Sequence, residues 1–153
     1  MNEMLFELPS PFEIELGTVK LHEPPESDAV ALKQQLLQGT YGKPFLIEYD
    51  GLLTLYFTLS LVQSTMQLAR PDVLDLAYTR KMMAFLPFYP RPKAMLLLGM
   101  GGGSLAKFCY RHLPRADITV VEIDPNVVAF RDTFKVPQDN ERFRIYCDDA
   151  ASF

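Results

Sequence analysis

The chain has 153 residues, 48% of them apolar, and a formal net charge of -4 at pH 7. That is enough for one domain of ordinary size with a packed core. No basic run is present, which argues against a nucleic-acid partner, and no apolar stretch approaches the roughly 18 residues needed to span a bilayer. Much of the acidity lies in residues 1–50, including Glu3, Glu7, Glu13 and Glu15, and reads as a solvated surface. The start is acidic where a signal peptide would be basic. Cys109 and Cys147 show no metal-ligand spacing, so two free thiols, no metal and a cytoplasmic setting are expected.

In chain order, Phe12–Leu16 alternates apolar and polar residues, as a half-buried strand does. Pro24-Pro25 ends the next extended piece, and Val30 to Leu37 suits a short helix. Pro44 to Tyr49 reads as a strand, and Asp50-Gly51 is a tight-turn signal. Leu53, Leu55, Phe57, Leu59 and Leu61 then alternate with polar residues, which predicts a return strand with one dry face. Asp72 is the expected cap of a helix running to about Leu86, before Pro87 and Pro90 break it. From Ala94 the pattern becomes β-α-β-α-β. Leu105, Phe108, Cys109 and His112 share one face of the first helix, where His112 packs or caps. Ile118–Val121 forms the second strand, and Asp124-Pro125 starts a second helix whose buried stripe is Val127, Phe130 and Phe134. Phe143–Cys147 forms a third strand, ending at Asp148-Asp149. Uninterrupted apolar strands of this kind belong to a parallel sheet with helices on its faces.

The most informative segment is Leu96-Leu97-Leu98-Gly99-Met100-Gly101-Gly102-Gly103-Ser104. A strand runs into a glycine-rich turn that opens a helix, so bare main chain and unpaired N–H groups face one space. Glu122 stands nineteen residues beyond Gly103 at the end of the next strand, where an acid can take up a ribose diol. This is a nucleoside-binding half-fold. A dinucleotide fingerprint would place glycine at position 104, which is Ser104, and no lysine follows the last glycine as a phosphate loop requires. The spacing G-x-G-x-G is of the adenosylmethionine type.

At these residues the chain resembles the polyamine aminopropyltransferases, the spermidine and spermine synthases, and more narrowly a bacterial branch called spermidine synthase-like. The resemblance runs from about residue 45 to 153. It rests on Leu97 to Leu105, on Val121-Glu122-Ile123-Asp124-Pro125, on Asp149-Ala150, and on Tyr78-Thr79-Arg80-Lys81-Met82-Met83-Ala84-Phe85-Leu86. Ordinary methyltransferases place an acid two residues before the first glycine, and Leu97 stands there. The implied fold is α/β: a small N-terminal β-hairpin domain with a linking helix (1–92), then an incomplete Rossmann-like sheet of the adenosylmethionine methyltransferase type (93–153).

The resemblance implies roles. Glu122 would hold both ribose hydroxyls, Asp149 the adenine amino group, and Ile123 one face of the base, with Ala150 leaving room for the ring. Gly99, Gly101, Gly102 and Gly103 would let the backbone approach the thioether and its arm, and Gln63 and Tyr78 of the front section would contribute to the same site. No tightly bound cofactor is implied. The co-substrate would be decarboxylated S-adenosylmethionine or S-adenosylmethionine, the second partner a polyamine, and the protein a homodimer. The family's loop aspartate, which binds the donor's charged amine, is replaced by Gly102, and the glutamine after the family's tyrosine is Thr79. The general base of the family lies beyond the Asp149 region, so no residue of 1–153 is assigned as catalytic.

Such a sheet needs strands on the other side of Leu96–Leu98, so the chain is expected to be an amino-terminal fragment, or else to be completed by a second copy. The function expected is aminopropyl transfer to putrescine. The alternatives are a methyltransferase on the same scaffold, which Gly102 favours, and a non-catalytic nucleoside-binding or dimerisation module.

Overall fold

Two sheets of opposite character share one apolar core. The computed structural model describes residues 4–153; Met1 to Glu3, with part of the acidic start, lie outside the described residues. The first sheet is an antiparallel meander of β1 (Phe6–Pro9), β2 (Thr18–Leu21), β3 (Phe45–Tyr49), β4 (Leu52–Thr58) and β5 (Leu61–Gln67) in sequential order. The second is parallel, β6 (Ala94–Leu98), β7 (Asp117–Glu122) and β8 (Phe143–Cys147), again in sequential order. The fold is therefore the expected α/β arrangement of an antiparallel hairpin region followed by a parallel sheet.

Local chemistry accounts for much of this. Helix α1 (Ala29–Gln38) begins at Asp28, whose carboxylate accepts from the N–H of Val30 and Ala31 at 2.9 and 3.2 Å. It ends at Gly39 in the left-handed conformation, with the N–H of Thr40 donating to Gln35 O. Asp50-Gly51 makes the β3–β4 turn, in which both residues have positive φ. In the parallel part, α3 (Ser104–His112) follows β6, and α4 (Pro125–Ala129) follows β7 with Asp124 as its cap and Pro125 in its first turn. Val127, Phe130 and Phe134 are buried as expected, although the helix ends at Ala129 and the two phenylalanines sit in the turns that follow.

Three expectations are corrected. Phe12–Leu16 is the loop joining β1 to β2, not a strand. Pro9 and Pro11 bracket its start, Phe12 turns inward and Ile14 is 89% exposed. The return strand does not run on to Leu61. It ends at Thr58, a turn intervenes, and β5 folds back on it with a register shift between Leu55 and Tyr56. The irregularity turns Tyr56 inward and leaves Phe57, Leu59 and Leu61 exposed. Asp72 caps no helix: α2 is only Ala77–Met82, continued by a 3-10 turn over Met83–Phe85, and Asp72 is instead ion-paired with Arg111 of α3. His112 packs as expected, stacking against Phe108 in the last turn of α3, while Leu105 and Phe108 border the core beside the buried Ala106, Lys107 and Cys109.

The core crosses from one sheet to the other. Leu46, Leu53, Leu55 and Met66 of the meander pack in the same cluster as Cys109, Val120, Phe130, Phe134 and Val136. Strand β6 is the free edge of the parallel sheet, as expected. Its Met95 and Leu97 face the core, whereas Leu96 and Leu98 lie open on the other face.

One charge sits inside this junction. Lys107 is 2% exposed, and its ammonium donates to Phe134 O at 2.7 Å and to the Met66 sulfur at 3.0 Å. Burial pushes its pKa down to about 8, with Asp72 opposing and Lys135 reinforcing the shift. A base whose folded pKa is depressed costs stability while it must carry a proton in the fold. That cost is relieved as pH rises from about 8 toward its ordinary value of 10.5. The difference in unfolding free energy between the native chain and Lys107→Met should therefore move by about 1 kcal/mol in favour of the native chain between pH 7 and 9. Urea melts of both chains at the two pH values test this; a difference independent of pH would contradict the buried charge.

Candidate functional site

The site forms where β6 and β7 end side by side. Parallel register pairs Leu98 with Val121, so the turn leaving β6 lies next to the last residue of β7, which is Glu122. The turn is tight. Gly99 N–H donates to Val121 O at 2.7 Å, and Gly101 and Gly103 adopt φ of +51° and +67°, a conformation open to glycine and strained for other residues.

Glu122 is 8% exposed, and its carboxylate is stitched into that turn. Oε2 accepts from Met100 N–H at 2.8 Å and, more weakly, from Gly101 N–H at 3.4 Å. Oε1 accepts from Asp124 N–H at 3.0 Å. Charge-assisted bonds of this kind contribute roughly 1.5–3 kcal/mol each. The carboxylate thus ties the first strand–helix turn to the second, and the helix N-termini of α3 and α4 open on either side of it.

The remaining sequence-predicted residues lie on neighbouring segments. Ile123, 67% exposed, follows Glu122 directly. The next strand end is tied in by Asp148 N–H, which donates to Glu122 O at 3.1 Å. Asp149 is exposed, and its carboxylate accepts from Ala151 N–H at 2.9 Å, with Ala150 exposed in the same turn. On the other side, Tyr78 hydroxyl donates to Gln63 O at 3.3 Å. That pair reaches the glycine turn through the neighbouring Ser64, whose hydroxyl lies 3.3 Å from that of Ser104.

Gly102 owes its identity to space rather than to φ. A Cβ there would fall 2.5 Å from Ser64 Oγ, 2.9 Å from Ser64 Cβ and 3.0 Å from Phe134 Cε1. The meander and the segment after α4 close on the turn from two sides, with Val136 likewise against Gly103. Sequence reasoning found the glycines and Glu122 but missed Ser64, Phe134 and Val136. Local pattern carries no trace of these contacts, although it marks Phe134 as buried, because each residue meets the turn across 30 or more residues of chain.

No family model matches the chain. It is 37% identical over 107 residues to the polyamine aminopropyltransferase of Chromobacterium violaceum, a match covering 69% of this chain and 41% of that protein. The chain thus spans less than half the length of that relative. It is 38% identical over 61 residues to an eEF1A lysine and N-terminal methyltransferase homolog of Drosophila melanogaster, covering 40% of this chain and 9% of that protein. Among solved structures, a probable spermidine synthase from Corynebacterium glutamicum superposes with a TM-score of 0.57 at 21% identity, over 71% of this chain and 43% of that one. The last likeness bears on the fold alone.

The packing at Gly102 makes a testable demand. Gly102→Asp should cost about 1–3 kcal/mol of stability through overpacking. Ser64→Gly, which removes two of the three close atoms, should recover part of that loss in the double variant. Denaturant melts of the two single variants and the double variant check this, and additive losses would show that Ser64 is not what fixes the glycine.

Proposed function

Because the chain belongs, over the residues matched, with the spermidine synthase-like polyamine aminopropyltransferases, we propose that it holds the adenosine part of decarboxylated S-adenosylmethionine for transfer of an aminopropyl group to putrescine. One observation carries the reading: a nearly buried carboxylate, Glu122, is fixed by backbone N–H groups at the mouth of a glycine turn. A carboxylate offers about four lone-pair directions. Three N–H groups contact Glu122, so a direction remains on Oε1 for a ribose hydroxyl, and the long Gly101 bond can yield to a second. Ile123 then offers an apolar face to the base, and Asp149 an acceptor for its amino group once its turn bond to Ala151 is shared.

In the proposed reaction a neutral amine nitrogen of putrescine attacks the aminopropyl carbon next to the sulfonium. The carbon–sulfur bond breaks, its electron pair stays on sulfur, and methylthioadenosine leaves. The proton lost by the nitrogen goes to a general base for which no side chain of residues 1–153 is assigned. The role proposed for residues 93–153 is therefore binding and orientation of the nucleoside, with 1–92 as the unit that backs the glycine turn. A cytoplasmic homodimer accompanies the reading. Both cysteines are free thiols, Cys109 pushed up to about 11 by burial and Cys147 exposed, and no helix among the described residues is long and apolar enough to cross a membrane.

A second reading, methyl transfer from S-adenosylmethionine, is favoured by Gly102. The turn carries no acid to face a lone ammonium, and the packing of Ser64 and Phe134 leaves no room for one. An amino-acid arm brings its own carboxylate and needs that acid less.

Titration calorimetry with methylthioadenosine, decarboxylated S-adenosylmethionine, S-adenosylmethionine and putrescine tests both readings. Methylthioadenosine should bind, and Glu122→Ala should weaken it tenfold or more, with Glu122→Gln intermediate because it keeps one acceptor oxygen. Binding unchanged in Glu122→Ala would remove the ribose contact. Tighter binding of the decarboxylated donor than of S-adenosylmethionine supports aminopropyl transfer, and the reverse order supports methyl transfer.

A further inference from the structure

At the opposite end of α3 from the glycine turn, a cavity of about 770 Å³ opens between that helix, α2 with its 3-10 turn, and the segment leaving β5. Its size suits a small ligand. The floor is apolar, made by Leu74, Met83, Leu86 and Phe108. The rim is cationic: Arg70, Arg80 and Arg111 border it, and Asp72 is the lone carboxylate among the described lining residues. Three guanidinium groups against one carboxylate leave a local positive surplus in a chain whose net charge is -4.

The arginines are held in place yet not used up. Arg80 spends Nη1 on Leu74 O and Asp75 O, at 2.8 and 2.6 Å. Arg70 spends Nε and Nη2 on Gln67 Oε1, and Arg111 spends Nη1 on Asp72. Each guanidinium has five N–H donors in a rigid fork, so each keeps donors for a further acceptor. The carbonyl end of α3 would ordinarily repel an anion. Here Arg142 covers it, donating to Tyr110 O at 2.5 Å and to Leu113 O at 3.4 Å. A smaller cavity of about 370 Å³ shares Asp72 and Arg111 and adds Lys135 and Arg142, which extends the positive surface.

We propose that this cavity binds a small amphiphilic carboxylate, with its apolar chain on the Leu74–Phe108 floor and its head group on the free N–H donors of Arg80 and Arg111. The proposal is independent of the nucleoside reading, since the two sites share α3 but no residue. Asp72 occupies Arg111 until the ligand arrives, so it competes with the carboxylate.

Calorimetry on the whole chain with decanoate, decanol and acetate tests this. Decanoate should bind at least tenfold more tightly than decanol, which has the apolar chain without the charge, and acetate should not bind. Arg111→Gln should weaken decanoate about tenfold, while Asp72→Asn should tighten it by removing the competitor. The two variants break the same ion pair, so a merely structural effect would move both in the same direction. Equal binding of decanol and decanoate, the same direction of change in both variants, or no binding of decanoate would each overturn the proposal.

Discussion

The carboxylate of Glu122 is the constraint on which the parallel half of this protein is built. Parallel strands end on the same side of their sheet, so the turn leaving one strand and the last side chain of the next are neighbours by construction. Here that neighbour is an acid almost removed from water, and three backbone N–H groups supply what solvent would have given it. The same bonds answer the turn's own problem. Gly99 and Gly103 N–H meet the carbonyls of Val121 and Met100, but without Glu122 the buried Met100 amide would lack a partner. The group proposed to take up a diol is therefore the group that keeps the shelf folded.

The second support comes from the first sheet. Strand β5 presses Ser64 against the glycine turn and sends Met66 to the Lys107 ammonium, while Phe134 closes the gap behind both. The antiparallel meander thus acts as the back wall of the turn. That contact decides the chemistry available there: a side chain at position 102, acidic or otherwise, would have to displace Ser64 and Phe134 together. The neutrality of the turn is accordingly a property of how two sheets meet.

Features set by near neighbours in the chain were legible from the residues alone. The β6–α3–β7–α4–β8 order, the Asp28 and Asp124 caps, the Asp50-Gly51 turn and the Gly99–Glu122 spacing all depend on residues close in sequence or on strand periodicity. What failed depends on distant partners. Ile14 alternates like a strand residue, but two prolines and the β1–β2 hairpin turn it out to solvent. Asp72 has the chemistry of a cap and uses it on Arg111, 39 residues away. The alternation of Leu53 and Leu55 continues through Phe57 to Leu61, yet the register shift at Tyr56 reverses which face is dry. Within the site, Glu122 and the glycines stood out by spacing, whereas the contacts of Ser64 and Phe134 with the turn have no local signature.

The uncovered face of the parallel sheet bears on what the shelf can do. In register, Leu96 lies beside Thr119 and Arg144, and Leu98 beside Val121 and Tyr146. Leu98 is 65% exposed while Val121, one strand further in, is buried. Ligands of such sheets settle in the crevice outside the strand ends where the strand order reverses. With β6 at the edge, that crevice has one wall among the described residues: the glycine turn, Glu122 and the end of β8. Gripping a nucleoside at its sugar needs only this wall, because the carboxylate and the turn face the same way. In the proposed reaction a nucleophile and a base must also reach the sulfonium carbon, and no side chain of residues 1–153 is assigned to either role. The wall where β6 and β7 end is therefore the part of the proposed site that this sheet builds, and Glu122 is the side chain that holds it together.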